Sequence, residues 1–394
     1  MILDKSIRNT VTVLVLILPS SCTTSAEAEA EIETSSEFAA GAESKAANES
    51  DEEKSEPAWT RYSYKPYPFP YYVDDVDRYP AATPPAGTVN RHGELEYLGS
   101  GIFGAHWFVE AEDAVWHFVT AGDLAKDVVL LIHGHPDTWY AFSKVMVELA
   151  DSYYVIAVDS LGYAQSDKRA EVEVSYGADA KSLIQLLNTL KVQSFNLVTH
   201  DRGSIISDHL IAADGMNGRI RAFLRMQQSF DKPHGLPRPA HEAMATAEWQ
   251  SGNVIRGSYD SNYVSVQLPE DELARLEWEF RFPGTAEAAA RTFQGTSFDT
   301  EREFRMKNTV PKMTMPVVLL QGTRDPGQHA EEYYSAADLI PNVRSVLVDA
   351  NHFIHTDDPR LVARVAHDLF ENGNENRPQK VSSEPVEFIY PEKR

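Results

Sequence analysis

The stretch FNLVTHDRGSIIS, residues 195–207, decides the fold. Phe195–Val198 is an apolar run broken only by Asn196 and reads as a buried strand. It passes through Thr199-His200-Asp201-Arg202-Gly203 and at once into a helical pattern. A strand, a sharp turn and a helix, with a small residue two places after the central one, form the pattern called a nucleophile elbow. Such a turn holds its central residue at strained dihedrals above the sheet, beside backbone N–H groups. The central residue here is Asp201, with Gly203 as the small one.

A carboxylate at that position selects the chemistry. It attacks saturated carbon and forms an alkyl ester. Attack on an ester or amide carbonyl would give a labile anhydride, with nothing gained over direct attack by water. Asp201 therefore points to a small-molecule substrate, an epoxide or an organohalide. The ester must then be cleaved by water, which needs a general base held by a carboxylate. Two later strand ends supply candidates. Val343–Val348 runs into Asn351-His352-Phe353, and Val317–Leu320 into Gly322-Thr323-Arg324-Asp325. His352 is the expected base and Asp325 its orienting acid. His355 is the competing histidine, and Asp325-Pro326-Gly327 also reads as a simple turn.

Val128–Ile132 ends in His133-Gly134-His135-Pro136. The backbone N–H groups of His135 and Arg202 are the expected oxyanion or halide hole. His133 is expected to structure its loop. His133, His135 and His200 match no zinc spacing, so neither a metal nor a cofactor is expected.

The rest of the chain fits the same sheet. Tyr154–Val158 and Ile220–Met226 are further continuous apolar runs, and Ala105–Glu110 and Val115–Thr120 read as the first two strands. Continuous apolar strands are covered on both faces, as in a mostly parallel sheet under helices. Leu183, Leu186, Leu187 and Leu190 recur at helical spacing, and Asp358-Pro359 opens a last helix that Gly373 closes. Alternating strands and helices give an α/β, doubly wound fold. Residues 231–311 break the rhythm with helical pieces and no buried strand, which predicts an inserted helical cap between core segments 95–230 and 312–373. Residues 374–394 read as a polar, loosely held tail.

The first part of the chain has another character. Lys5 and Arg8 precede the apolar run Val11–Leu18, too short to span a bilayer, and Cys22 follows. Residues 1–22 thus read as an export signal, with Cys22 a site of possible lipidation and membrane attachment; Pro19 fits the lipoprotein pattern poorly. The expected location is periplasmic, secreted or lipid-anchored. Cys22 is the only cysteine of 394 residues, which excludes disulfides within the chain. Residues 23–57 carry 11 acids against two lysines and are expected to be a disordered linker. Residues 58–94 are rich in Tyr and Pro and read as an extended strap. The net charge of −23 argues against a nucleic-acid partner.

Together these motifs resemble the α/β-hydrolase superfamily, in its epoxide hydrolase and haloalkane dehalogenase branch, over about residues 95–370. His133–Phe142 (HGHPDTWYAF) is similar to the oxyanion-loop motif of epoxide hydrolases, and His200–Gly203 (HDRG) to the nucleophile motif. The resemblance implies Asp201 as nucleophile, His352 as water-activating base and Asp325 as the acid. It also implies cap tyrosines that polarise an epoxide oxygen, for which Tyr259 and Tyr263 are candidates. Trp139 and Trp249 are candidate pocket residues, Trp249 as a halide ligand. Thr199 stands where the elbow usually opens with Gly. Arg202 stands where haloalkane dehalogenases carry Trp, and Ile205 where haloacetate dehalogenases carry a second Arg. The leading expectation is an exported epoxide hydrolase. A haloalkane or haloacid dehalogenase with the same triad is the alternative. Outside enzymes, a degenerate hydrolase serving as a ligand-binding surface protein is the third.

Overall fold

The computed structural model describes residues 71–228, 230, 238–252, 254–259, 263–328, 339–374 and 386–389. The export signal with Cys22, the acidic linker and the first part of the strap lie outside them.

Eleven strands form one sheet: β1 (Tyr71–Tyr72), β2 (Glu94–Gly99), β3 (Ile102–Ala111), β4 (Ala114–Ala121), β5 (Val128–Ile132), β6 (Tyr154–Val158), β7 (Phe195–His200), β8 (Ile220–Met226), β9 (Val317–Gly322), β10 (Val343–Val348) and β11 (Val386–Ile389). Their order is β1-β2-β3-β4-β6-β5-β7-β8-β9-β10-β11. β1 to β4, and β4 with β6, pair antiparallel, while every pair from β6 to β11 is parallel. The fold is an α/β-hydrolase sheet with helices on both faces. Every run read from the sequence as a strand is one. β2 was not read, because its buried Glu94 and Glu96 interrupt the apolar signal.

Register sets the site. Ile132 lies beside Thr199, His200 beside Met226, Met226 beside Leu320, and Gly322 beside Val348. The carboxyl ends of β5, β7, β9 and β10 therefore reach one edge, where ligands of open α/β sheets bind.

Side chains alternate between two cores, as strand geometry requires. Leu130 and Ile132 join the cluster under helices Tyr176–Thr189 and Arg202–Ala212, and Val129 and Leu131 join the one under Ser143–Leu149 and Pro359–Asn372. The last helix begins and ends as its sequence dictates. Asp358 accepts the Leu361 N–H at 3.0 Å, Pro359 takes the first position, and Gly373 sits at φ 55°. Between β8 and β9 the described residues form helices and no strand, the longest being Glu270–Phe280 and Thr285–Gly295.

The tail departs from expectation. Val386–Ile389 adds a parallel strand beside β10. Four residues of β character in a polar tail suffice, because the open edge of β10 offers unpaired backbone groups. In the Tyr/Pro segment, Tyr79 is buried edge-on against Trp107 and its hydroxyl meets that of Tyr154 at 2.9 Å. Among the described residues no helix is long and apolar enough to cross a membrane.

Candidate active site

Asp201 sits at the junction of β7 and helix Arg202–Ala212 with φ 45° and ψ −120°. This left-handed backbone costs a non-glycine residue energy that the neighbours must hold in place. They do so by close approach. A Cβ on Gly203 would stand 2.3 Å from the Ile132 carbonyl oxygen, and one on Gly134 would stand 2.5 Å from the Asp201 Cβ. Thr199, where Gly is usual, is accommodated by turning its hydroxyl to Ser204 at 2.8 Å.

The expected groups gather around this carboxylate. The backbone N–H of His135 donates to Asp201 Oδ1 at 3.0 Å. Arg202 follows as the first residue of the helix, where a backbone N–H has no intrahelical acceptor. His352 Nε2 faces Asp201 Oδ2 at 3.9 Å, and its Nδ1 lies 2.8 Å from Asp325 Oδ2. The other Asp325 oxygen accepts the N–H groups of Gly327 and Gln328 at 2.8 and 3.2 Å, which fixes the carboxylate's plane. His352 is further held by its own backbone. Its N–H donates to Tyr263 O at 2.9 Å, and its carbonyl accepts from His200 Nε2 at 3.1 Å.

The charges support one another. Burial disfavours the Asp201 anion, but Arg202 and His352 outweigh it and hold its pKa down to about 2. Burial likewise opposes charge on His352, yet Asp325 and then Asp201 lift it to about 8. Asp201 is thus ionised at neutral pH, and His352 carries a proton in the resting site. His355, the competing histidine, is turned elsewhere. Its Nε2 meets Asp137 Oδ2 at 3.2 Å in the buried interior.

Of the candidate pocket residues, two lie by the site. Trp249 stacks on the His135 ring, centroids 6.3 Å apart and planes at 26°. Tyr263 meets His352 edge-on at 5.9 Å. The other two are corrected. Tyr259 is buried and donates its hydroxyl to Asp137, with its ring stacked on Phe353, so its O–H is committed away from Asp201. Trp139 is wholly buried in the core cluster with Val129, Leu131 and Phe142, and its backbone N–H donates to Asp159 at 2.9 Å. It supports the loop and does not line a pocket. His133 does structure that loop. Its Nδ1–H donates to Gly134 O at 2.7 Å, and its Nε2 accepts the Ser160 N–H at 3.0 Å.

The sequence names Arg202 for its backbone N–H and its place after Asp201; the contacts of its side chain, and several other groups, carry no sequence signal. Arg202 lies between the rings of Phe293 and Phe298, 4.6 and 4.3 Å away, donates to the Tyr176 hydroxyl at 3.3 Å, and keeps its Nε 3.7 Å from Asp201 Oδ1. Tyr163, in the turn after β6, places its hydroxyl 3.0 Å from His135 Nδ1. Farther off, Arg275 of helix Glu270–Phe280 pairs with Glu96 and Glu279. From Glu96 a buried chain runs through His106 (3.0 Å) and His117 (3.0 Å) to Asp159 (2.6 Å). Among the described residues, Asp137, His200 and His355 alone have metal-like spacing. Both Asp137 oxygens already accept protein donors, Tyr259 and His355, so the group reads as a hydrogen-bond network. A cavity lined by Ile211, Met216, Asn217 and Lys312 lies at the far end of the Asp201 helix and belongs to no part of this site.

Comparison with known proteins gives a matching frame. A family model of the alpha/beta hydrolase fold matches residues 127–359. Epoxide hydrolase 4 of Mus musculus is 34% identical over 114 residues, 28% of this chain and 32% of that protein. The chain thus aligns with about a third of the length of that relative. A soluble epoxide hydrolase of a Corynebacterium strain is 23% identical over 281 residues, 64% of this chain and 93% of the relative. Among solved structures, the Cif epoxide hydrolase of Acinetobacter nosocomialis superposes with a TM-score of 0.60 at 19% identity, covering 70% of this chain and 90% of that one. An ancestral haloalkane dehalogenase gives a TM-score of 0.57 at 19% identity, covering 67% and 97%. At these identities the structural likeness speaks for the fold.

Proposed function

The chain belongs to the α/β-hydrolase fold family, and we propose that within it the protein is an epoxide hydrolase working through an ester on Asp201. One observation carries this reading: His352 stands between Asp325 and Asp201, 2.8 Å from the first and 3.9 Å from the second. An ionised carboxylate at a strained turn is a nucleophile for saturated carbon. A histidine buttressed by a second carboxylate, beyond hydrogen-bond length from the nucleophile, is suited to activate water against the resulting ester. The epoxide hydrolases among its sequence relatives support the same substrate class.

The electrostatics favour the order of steps. Asp201 attacks a ring carbon, and the C–O bond of the epoxide breaks. Esterification removes the Asp201 charge, one of the charges that hold the His352 proton. The His352 pKa then falls from about 8, so more of the imidazole is neutral and free to take a proton just when water must be activated. The N–H groups of His135 and Arg202 hold the oxyanion as water adds to the ester.

A second reading has its own support. Arg202 Nε is buried without a hydrogen-bond partner 3.7 Å from Asp201 Oδ1, a position where a halide or a substrate carboxylate could be held. Dehalogenation of a haloalkane or haloacid would use the same ester. The N-terminal pattern from Lys5 to Cys22 supports export, with or without lipidation of Cys22.

The test is product chemistry with a trapped intermediate. Styrene oxide should give the diol, and His352→Gln should accumulate added mass on the Asp201 peptide. Halide release from haloalkanes or haloacids, with no diol from epoxides, would favour the second reading. No adduct and no turnover across both substrate classes would leave only a ligand-binding role.

A further inference from the structure

Opening an epoxide leaves a strongly basic oxygen, and something must supply its proton. Tyr259 does not, since its hydroxyl is held by Asp137; Tyr263, edge-on to His352, is a candidate beside the group argued here. We propose that the imidazole of His135, with Tyr163 behind it, is the acid that protonates the leaving oxygen. The inference rests on the epoxide reading above and names the residue that would complete it.

His135 hangs from the backbone that touches the nucleophile, its N–H 3.0 Å from Asp201 Oδ1. Its ring is 93% removed from solvent, at 7% exposure, in a cage of Tyr163, Trp249, Phe280 and Phe293. The last three come from the helical insertion, so the ring projects from the sheet edge toward the elements that cover it. Nδ1 has one partner, the Tyr163 hydroxyl at 3.0 Å, and Nε2 is buried with none.

Counting protons fixes the tautomer. If Nδ1–H donated to Tyr163, the phenol hydrogen and the Nε2 lone pair would both be stranded. If the phenol donates to Nδ1, only the Nε2–H is left over. A stranded buried polar group is costly, so the arrangement that strands one group and not two wins. The ring, on the residue whose backbone touches Asp201, then holds one unspent N–H. Burial, with Arg202 adding to it, pushes the ring's pKa down to about 3, so this donor is a neutral imidazole. A buried donor without an acceptor is what a site needs when its acceptor arrives with the substrate.

The step balances. As the Asp201 oxygen bonds to carbon, the ring C–O pair moves onto oxygen. That oxygen takes the Nε2 proton while the Tyr163 proton passes to Nδ1, which leaves a phenolate. Burial holds the Tyr163 phenol well above its ordinary pKa and Arg202 offsets only part of that, so the phenolate is a short-lived species. Once Asp201 is esterified, His352 gives up its resting proton and the Tyr163 phenolate takes one up; the neutral imidazole then takes a proton from water as that water attacks the ester, which restores all three groups to their resting forms. The sum is epoxide plus water to diol.

The experiment follows adduct formation on Asp201 with styrene oxide in a His352→Gln background, by quenched-flow mass spectrometry. Adding His135→Phe should slow the adduct about 100-fold or more, the range of general-acid catalysis. It should also abolish the normal solvent deuterium isotope effect on that step. Tyr163→Phe keeps the shape of the cage and tests the relay if His135→Phe fails to fold. It should slow the step at least about tenfold and also lose the isotope effect. Adduct formation at the unmodified rate in both variants would overturn the role of His135 while leaving the ester mechanism intact. Absence of any adduct with His135 and Tyr163 both present would overturn the ester mechanism, and this inference with it.

Discussion

The Nε2 of His352 stands 3.9 Å from the Oδ2 of Asp201, too far for a hydrogen bond. The two groups attract without sharing a proton, which leaves the imidazole edge open to water. Their mutual charge has a measurable consequence for stability. The folded pKa of His352 is raised to about 8 from an ordinary 6.5, so its contribution is complete below about pH 6.5 and is lost as pH rises through 8. Between pH 6 and 9 the wild type should lose about 2 kcal/mol that His352→Gln does not lose. Urea unfolding of both proteins across that range measures the difference.

The same pair sets the pH profile of turnover. In the proposed mechanism ester hydrolysis needs neutral His352, so in single-turnover experiments its rate should rise with pH and level off. The midpoint should lie below about 8, because the ester no longer carries the Asp201 charge. Asp325→Asn removes the charge that does most to raise this pKa and should shift the midpoint further down. It should also slow hydrolysis by about 100-fold or more, since the ring loses its orienting partner.

Gly203 is a purely steric requirement. Gly203→Ala would bring a methyl carbon to 2.3 Å from the Ile132 oxygen and force helix and strand apart. A loss of about 1–3 kcal/mol or more is expected, visible as a lowered urea midpoint. Thermal unfolding at wild-type temperature would show that the elbow tolerates the separation.

Arg275 is the one cation between Glu96 and Glu279, all three buried. Arg275 balances the charge of Glu96, while burial keeps Glu279 raised toward its neutral form. Arg275→Met leaves Glu96 uncompensated and should cost about 3–5 kcal/mol. Adding Glu96→Gln should return part of that loss, read by urea unfolding of the single and double variants.

Tyr259→Phe separates packing from catalysis. Removing the hydroxyl strands one Asp137 oxygen in the interior and should cost about 1–3 kcal/mol. Turnover should fall far less than the roughly 100-fold expected on removing a donor to the epoxide oxygen. Steady-state kinetics beside thermal unfolding settles which role the phenol has.

The sheet was legible because buried parallel strands write themselves as unbroken apolar runs. Asp201, Asp325 and His352 were legible because each follows such a run. The elements that were missed obey other rules. β2 carries Glu94 and Glu96, whose burial makes sense only with Arg275 of a helix far along the chain. Val386–Ile389 pairs because β10 has an open edge, a property of the sheet and not of the tail. Trp139 sits in the His133–Phe142 motif and Tyr259 in the inserted helical segment, yet side-chain direction is set by packing. One turns into the core, and the other turns to Asp137. Tyr163 left only a Gly-Tyr pair after β6, and its partner His135 lies in another loop.

The most direct measurement is one turnover in heavy-oxygen water with excess enzyme. If the substrate is first bonded to Asp201, water attacks the carboxyl carbon. The heavy oxygen should then appear in the Asp201 peptide, and the diol should carry none of it. Label in the diol with an unlabelled Asp201 peptide would mean that water attacks the substrate directly, and the ester would not exist.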